Sequence, residues 1–360
     1  EFEPGRFVFL EAHRLAKILN TFYELLEPGS KNAKQKLSHY HASVVHQFAE
    51  DFGDENIEWR GSEKLKTLGE KLSSNGEITP VSPSKNLEAT LRGYQAYGLS
   101  WLQFLSEYDL SGILADDMGL GKTLQTLAHI QVHLETHTLD KCGPSLIVAP
   151  TSVVSNWIKE AQQFTPELKI VEYYGLNRRH IPIQDYDIVV TSYGVLRQDI
   201  DVFSEAKLRF LILDEAQAIK NPQSKTAAAA KAIPSRHRLC LTGTPIENHL
   251  GELWSMFDFL MPGFLSSLRR FNKNFRKPIE NMGDSEQAKR LQSRIAPFIL
   301  RRTKDVVAKD LPPKTEMVHK SYLTGLQRDL YETVRLSVSD TVREAIRKKG
   351  LAQSQIVILD

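Results

Sequence analysis

Five short aliphatic runs constrain the fold of this chain more than any other feature. They are Gly112-Ile113-Leu114-Ala115, Leu146-Ile147-Val148-Ala149, Ile188-Val189-Val190, Phe210-Leu211-Ile212-Leu213 and Arg238-Leu239-Cys240-Leu241. They are almost unbroken rather than alternating, which suits strands buried on both faces of a parallel sheet. Helical patterns fall between them, at Thr123 to His133, Val153 to Phe164 and the alanine-rich Ser224 to Ala232. Strands alternating with helices predict an α/β fold, a doubly wound parallel sheet flanked by helices. Such sheets bind ligands at the carboxyl ends of their strands.

Outside this region the texture differs. Phe7 to Tyr23 has helical spacing and stops at Pro28-Gly29-Ser30; a polar helical segment follows through Phe52, then a helix over Glu63 to Leu72. Residues 73–86 (SSNGEITPVSPSKN) read as a linker, so 1–86 is expected to be a helical leader. After Leu250 the strands are expected to stop. Residues 251–360 read as a helical protrusion with a basic cluster at Arg269, Arg270, Lys273, Arg276 and Lys277. Leu326, Leu330, Val334, Val338, Val342 and Ile346 recur every fourth residue, the stripe of an amphipathic helix. With 46 basic and 44 acidic residues the chain has no global field for polyanions, so any such contact must come from local patches. No run approaches the roughly 18 apolar residues of a membrane span, and no membrane partner is expected. Two cysteines, Cys142 and Cys240, are too few for a disulfide framework and fit a reducing compartment.

The chemistry concentrates at three strand ends. Asp116-Asp117-Met118-Gly119-Leu120-Gly121-Lys122-Thr123 leaves the first strand and opens a helix, the context of a phosphate-binding loop. Gly119 and Gly121 let backbone N–H groups approach an anion, and the helix N-terminus adds its positive dipole end. Lys122 would neutralise the β- and γ-phosphates of ATP, and the Thr123 hydroxyl would ligate Mg²⁺. Met118, Leu120 and Leu124 complete this binding segment. The strict pattern has glycine where Asp116 stands. The fourth run leads directly into Asp214-Glu215-Ala216-Gln217, where Asp214 can hold Mg²⁺ and Glu215 can orient or deprotonate a water. A phosphate loop paired with this acidic step points to ATP hydrolysis. The fifth run ends in Thr242-Gly243-Thr244-Pro245, in position to sense the nucleotide.

DMGLGKT (117–123), DEAQ (214–217) and LTGTPIEN (241–248) resemble motifs I, II and III of the superfamily-two helicase-like ATPases. The blocks LRGYQAYGLSWL (91–102), ILADDMGLGKTLQTLA (113–128), APTSVVSNWIKE (149–160), TSYGVLR (191–197), LWSMFDFLMPG (253–263) and FILRRTKDVVAKDLPPKTE (298–316) are similar to those of the Swi/Snf family of DNA translocases. The resemblance implies a RecA-like ATP-binding lobe over 87–250. It gives Gln95 the adenine edge, makes Gln217, Thr242, Gly243 and Thr244 couplers of nucleotide state to strand contacts, and sets Asn156-Trp157 and Thr191-Ser192-Tyr193 on or near a DNA-tracking face. For Trp157 plain core packing stands as an equal alternative; for Arg276 a DNA contact and a solvated surface are both open.

Two departures stand out. The family usually has histidine at Gln217, and its second lobe, with an arginine that reaches the γ-phosphate, has no counterpart before Asp360. The chain is therefore expected to be the first lobe of a two-lobed motor acting on double-stranded DNA and a DNA-bound protein, weak in hydrolysis alone. Arg301-Arg302 lie in a structural and coupling block and are not read as a replacement finger. A non-catalytic nucleotide-switched module and an RNA-helicase or restriction-type motor are the alternatives. Bacterial cytoplasm, in association with the nucleoid, is favoured over a eukaryotic nucleus.

Overall fold

The computed structural model describes residues 39–42, 63–72, 78–137, 143–307, 317 and 319–335. The chain forms two compact units, residues 1–309 and 310–360. In the first, a seven-stranded sheet runs in the order β3-β4-β2-β5-β6-β1-β7, every neighbouring pair parallel. Its strands are β1 (Gly112–Leu114), β2 (Ser145–Ala149), β3 (Ile170–Glu172), β4 (Ile188–Ser192), β5 (Leu208–Asp214), β6 (Ser235–Leu241) and β7 (Ile299–Leu300). The five aliphatic runs are the five central strands. Ile113, Leu146, Ile147, Val190, Leu211, Ile212 and Leu241 are fully buried, each such side chain stabilising the fold by roughly 1.5–3 kcal/mol.

Helix α1 (Glu63–Leu72) has the bounds its pattern predicts. Helix α2 (Gly93–Glu107) precedes β1, and the crossovers are α3 (Lys122–Thr136), α4 (Thr151–Phe164), α5 (Tyr193–Gln198), α6 (Ile200–Glu205) and α7 (Lys225–Ala232). Ser224 and Ser192 cap α7 and α5 by accepting from Ala227 N and Val195 N. After β6 come α8 (Leu250–Leu260), α9 (Leu268–Phe271), a π-helical turn Asn272–Arg276, α10 (Lys277–Met282) and α11 (Ser285–Ile295). Leu253, Met256, Phe257 and Phe259 of α8 join the same core as the sheet.

Two strands escape the sequence pattern. β3 is a half-exposed edge strand of three residues, and β7 is an edge strand of two, so neither shows as an aliphatic run. The expectation that strands end at Leu250 is thereby corrected: β7 returns to pair with β1, Ile113 opposite Ile299 and Leu114 opposite Leu300. In the linker, described from Ile78, Val81 N donates to Ser100 Oγ at 2.9 Å and Asn86 Nδ2 to Glu167 Oε2 at 2.7 Å, so that stretch is fastened to the lobe. Residues 325–335 are helical. The helix expected at Phe7 to Tyr23, Cys142, and the stripe positions Val338, Val342 and Ile346 lie outside the described residues. No described helix is long and apolar enough to cross a membrane.

Candidate nucleotide site

Strand order brings the three motifs together. β5, β6 and β1 are consecutive in space, and Leu241 stands opposite both Asp214 and Leu114. The acidic step, the Thr-Gly-Thr turn and the phosphate loop therefore leave one edge of the sheet side by side. A β-carbon on Gly243 would sit 3.3 Å from Met118 Cγ, so the turn and the loop touch. Met118 is otherwise exposed.

The loop conforms to its residues. Gly119 and Gly121 hold φ of +84° and +76°, a left-handed backbone that glycine adopts without strain. A β-carbon on Gly121 would also lie 2.5 Å from Gln95 Nε2. Lys122 and Thr123 begin α3 with the helix N-terminus facing the loop. Lys122 Nζ donates to the Asp116 carbonyl at 2.7 Å. Burial lowers its pKa, while the charges of Glu215, Asp214, Asp116 and Asp117 pull it back up. The lysine thus lies within the field of both motif-II acids, as a phosphate site requires. Leu120 is buried, and its carbonyl accepts from Gln95 Nε2 and from the Tyr94 hydroxyl, each at 3.2 Å. Gln95 Oε1 accepts from Arg92 N at 2.9 Å. The amide assigned to adenine is thus already paired at the rim of the loop. Leu124 packs beside Leu87 and Leu99, so its side chain serves the core.

Asp214 ends β5 nearly buried. Its Oδ1 accepts from Glu215 N at 2.9 Å and its Oδ2 from Trp157 Nε1 at 2.8 Å. Burial raises its pKa and Glu215 adds to that, while Trp157, the Glu215 amide and Lys122 oppose it. Glu215 itself sits at φ +49°, ψ +56°, an uncommon backbone for a non-glycine residue and a form of strain typical of functional sites. From it a hydrogen-bonded relay runs to the third motif. Gln217 Nε2 donates to Glu215 Oε2 at 2.9 Å, and the Thr242 hydroxyl donates to Gln217 Oε1 at 3.0 Å. Thr244 N donates to Thr242 Oγ1 at 3.1 Å. The Gln217 amide, in the position where the resemblance has histidine, presents one donor and one acceptor to its two neighbours.

Two residues of α4 enter the site that the sequence reading did not place there. Trp157, 1 % exposed, is both a core residue and the donor to Asp214. Glu160 faces Thr123; burial raises its pKa most, the Thr123 hydroxyl lowers it, and Asp214 raises it further. Their spacing on α4 is a signal only once α4 is known to reach Asp214 at the end of β5. Among the described residues no three His, Cys, Asp or Glu side chains cluster to hold a metal by themselves. Thr123 and Asp214 fit Mg²⁺, which binds through one or two protein oxygens and keeps its water and phosphate ligands.

The expected DNA contacts fare unevenly. Thr191 is fully buried with its hydroxyl donating to the Tyr173 carbonyl at 2.9 Å, and Ser192 Oγ caps α5. The Tyr193 hydroxyl donates to the Asp214 carbonyl at 2.6 Å. The Thr191 and Tyr193 hydroxyls thus donate within the lobe, whereas Ser192 Oγ only accepts there and keeps its own proton. Asn156 is exposed on α4. Arg276 pairs with Glu280 at 3.0 Å, which offsets its charge.

Comparison with known proteins agrees with this geometry. Residues 94–358 match the SNF2-related domain. The Saccharomyces cerevisiae TATA-binding protein-associated factor MOT1 is 40% identical over 317 residues, 81% of this chain and 17% of that protein. Bacillus subtilis YwqA is 38% identical over 309 residues, 84% of this chain and 33% of that one. The solved Sulfolobus solfataricus SWI2/SNF2 ATPase core in complex with dsDNA superposes with a TM-score of 0.60 at 38% identity, covering 77% of this chain and 59% of that one. The chain thus spans a third or less of those two relatives. A RecA-like parallel sheet with the three motifs at one edge, and these likenesses along most of its length, make the chain a member of the SNF2-related family of helicase-like ATPases.

Proposed function

We propose that the protein is an ATP-dependent translocase on double-stranded DNA that remodels DNA-bound protein, with residues 87–250 as the first ATP-binding lobe and a second RecA-like lobe completing the motor. The observation that carries this reading is the common sheet edge at which Lys122, Thr123, Asp214, Glu215 and Thr242 meet. Lys122 leaves the Asp116 carbonyl to neutralise the polyphosphate, and the loop amides of 119–123 hold it. Thr123 and Asp214 would hold Mg²⁺, which supplies charge neutralisation between the β- and γ-phosphates. Glu215 orients the attacking water and takes its proton. The Gln217–Thr242–Thr244 relay links that carboxylate to the neighbouring loop, so a change at Glu215 reaches residues 242–244.

Arg302 is committed to Asp116 and does not act as the finger on the transferred phosphate. Since such an arginine is worth roughly 10³–10⁵ in rate, residues 1–360 alone should turn over ATP slowly. The test is ATPase activity of a two-lobed protein with duplex DNA, single-stranded DNA and RNA. Duplex DNA should stimulate most, and Lys122→Ala or Glu215→Gln should abolish turnover. DNA-dependent function that survives both changes refutes the motor, and preferential stimulation by RNA refutes the duplex substrate.

A further inference from the structure

The strand that returns after the helical excursion does more than close the sheet. Ala115 N donates to the Leu300 carbonyl at 2.7 Å and Asp117 N to the Arg302 carbonyl at 3.0 Å, so β7 runs along the start of the phosphate loop. Arg302 then turns inward. Its backbone N and Nε donate to Asp116 Oδ1 at 3.1 and 2.9 Å, and Nη2 bonds both Asp116 Oδ2 and Gln125 Oε1, the latter at 2.7 Å. Nη1 donates to the Tyr94 carbonyl. Asp116 and Gln125 are fully buried. Two residues on, Lys304 N donates to Asp117 Oδ2 at 3.1 Å. Its Cε and Nζ each stand 3.6 Å from the point a β-carbon on Gly119 would occupy, with the side chain open to solvent over the loop.

Residues 116, 117 and 119 are thus each met by residues 300–304. A buried carboxylate at 116 requires a cation, and a guanidinium fork holds it with fixed geometry as an ammonium cannot. We propose that residues 299–304 belong to the nucleotide site. Arg302 is a positioning residue that sets the first turn of the phosphate loop through Asp116 and Gln125, and Lys304 brings a second ammonium, beside that of Lys122, against the polyphosphate. This rests on reading the loop as an ATP site.

The test is titration of a fluorescent ATP analogue with Mg²⁺ into the full 360-residue chain and its variants, with melting temperatures recorded in parallel. Lys122→Ala should abolish binding. Lys304→Ala should weaken it by about three- to tenfold and flatten its salt dependence, and Lys304→Glu should weaken it more. Arg302→Lys keeps the charge but loses the fork, and should weaken binding by about tenfold in protein that is still folded at the assay temperature. An Arg302 that served stability alone would lower the melting temperature and leave that affinity unchanged. Wild-type affinity in Arg302→Lys and both Lys304 variants, with Lys122→Ala defective, overturns the proposal and leaves the ATP reading standing. Failure of the unaltered chain to bind, or equal binding by Lys122→Ala, overturns the ATP reading and this proposal with it. Should Arg302→Lys not fold, the two Lys304 variants decide, because that side chain is exposed.

Discussion

Replacing Trp157 with phenylalanine keeps a ring in the core and removes one hydrogen bond, the 2.8 Å contact from the indole N–H to Asp214 Oδ2. The acceptor is a nearly buried carboxylate, and a hydrogen bond to a charged group contributes about 1.5–3 kcal/mol. The smaller ring adds a packing loss of order 1 kcal/mol. A double-mutant cycle with Asp214→Ala separates the two, because the packing loss occurs on both legs and cancels. Urea denaturation of the four proteins at pH 7.5 should give a coupling of about 1.5–3 kcal/mol. The pH dependence has a definite sign. Trp157 favours the ionised acid, so its loss moves the already raised Asp214 pKa further upward. On acidification Asp214 is protonated and needs the donor less, so the Trp157→Phe penalty shrinks. A coupling under about 0.5 kcal/mol, or a penalty that is unchanged at low pH, would refute the view that Trp157 holds the carboxylate proposed for Mg²⁺.

Acid should unfold this lobe early. His129 and His133 are buried against Phe210 and His237, with His137, Arg209 and Arg236 also near His133. Burial lowers the pKa of both, that of His133 to about 3. Above pH 6.5 neither state is charged; below it the unfolded chain takes up protons that the folded one refuses. Stability should fall by about 1.4 kcal/mol per pH unit for each histidine, and His133→Leu should flatten the slope between pH 6 and 5 in a denaturation series. Asp199, 1 % exposed, accepts from Arg178 at 2.6 Å, Arg179 at 2.7 Å and the Tyr173 hydroxyl at 3.3 Å. Asp199→Ala should cost about 3 kcal/mol by taking the carboxylate partner from the half-buried Arg178 guanidinium and the acceptor from the Tyr173 hydroxyl, measured as a shift in the urea midpoint. A β-carbon on Gly98 would lie 2.0 Å from Gln125 Oε1, so Gly98→Ala should cost about 1–3 kcal/mol through overpacking, read as a lower melting temperature.

What the sequence makes legible depends on how local the cause is. Central strands are readable because burial on both faces demands unbroken aliphatic residues, and the three motifs follow because each begins where such a strand ends. β3 and β7 are edge strands too short to need that composition. Thr191, Ser192 and Tyr193 have side chains suited to a phosphate, yet the Thr191 and Tyr193 hydroxyls donate to carbonyls of the lobe and Ser192 Oγ caps α5. Trp157 and Glu160 join the site only because the tertiary fold brings α4 to Asp214 at the end of β5 and to Thr123 at the start of α3, which no spacing within α4 reveals.

Asp116 carries the same argument furthest. Against the phosphate-loop pattern it reads as a defect, an acid where glycine belongs and beside a site that must accept anions. Placed at 0% exposure between β1 and α3, that acid has to meet a cation. The cation comes from Arg302, 186 positions along the chain. Loss of the consensus glycine and the basic pair in FILRRTK are therefore one feature seen at two places: the carboxylate is tolerable because β7 returns to the sheet, and β7, only two residues long, is anchored because the carboxylate is there. If so, the two ends should fail together, and Asp116→Gly should loosen β7 as surely as Arg302→Lys loosens the loop. Faster amide exchange at Ala115 and Asp117, whose N–H groups bond Leu300 and Arg302, would register that loss, and unchanged exchange in Asp116→Gly would break the link.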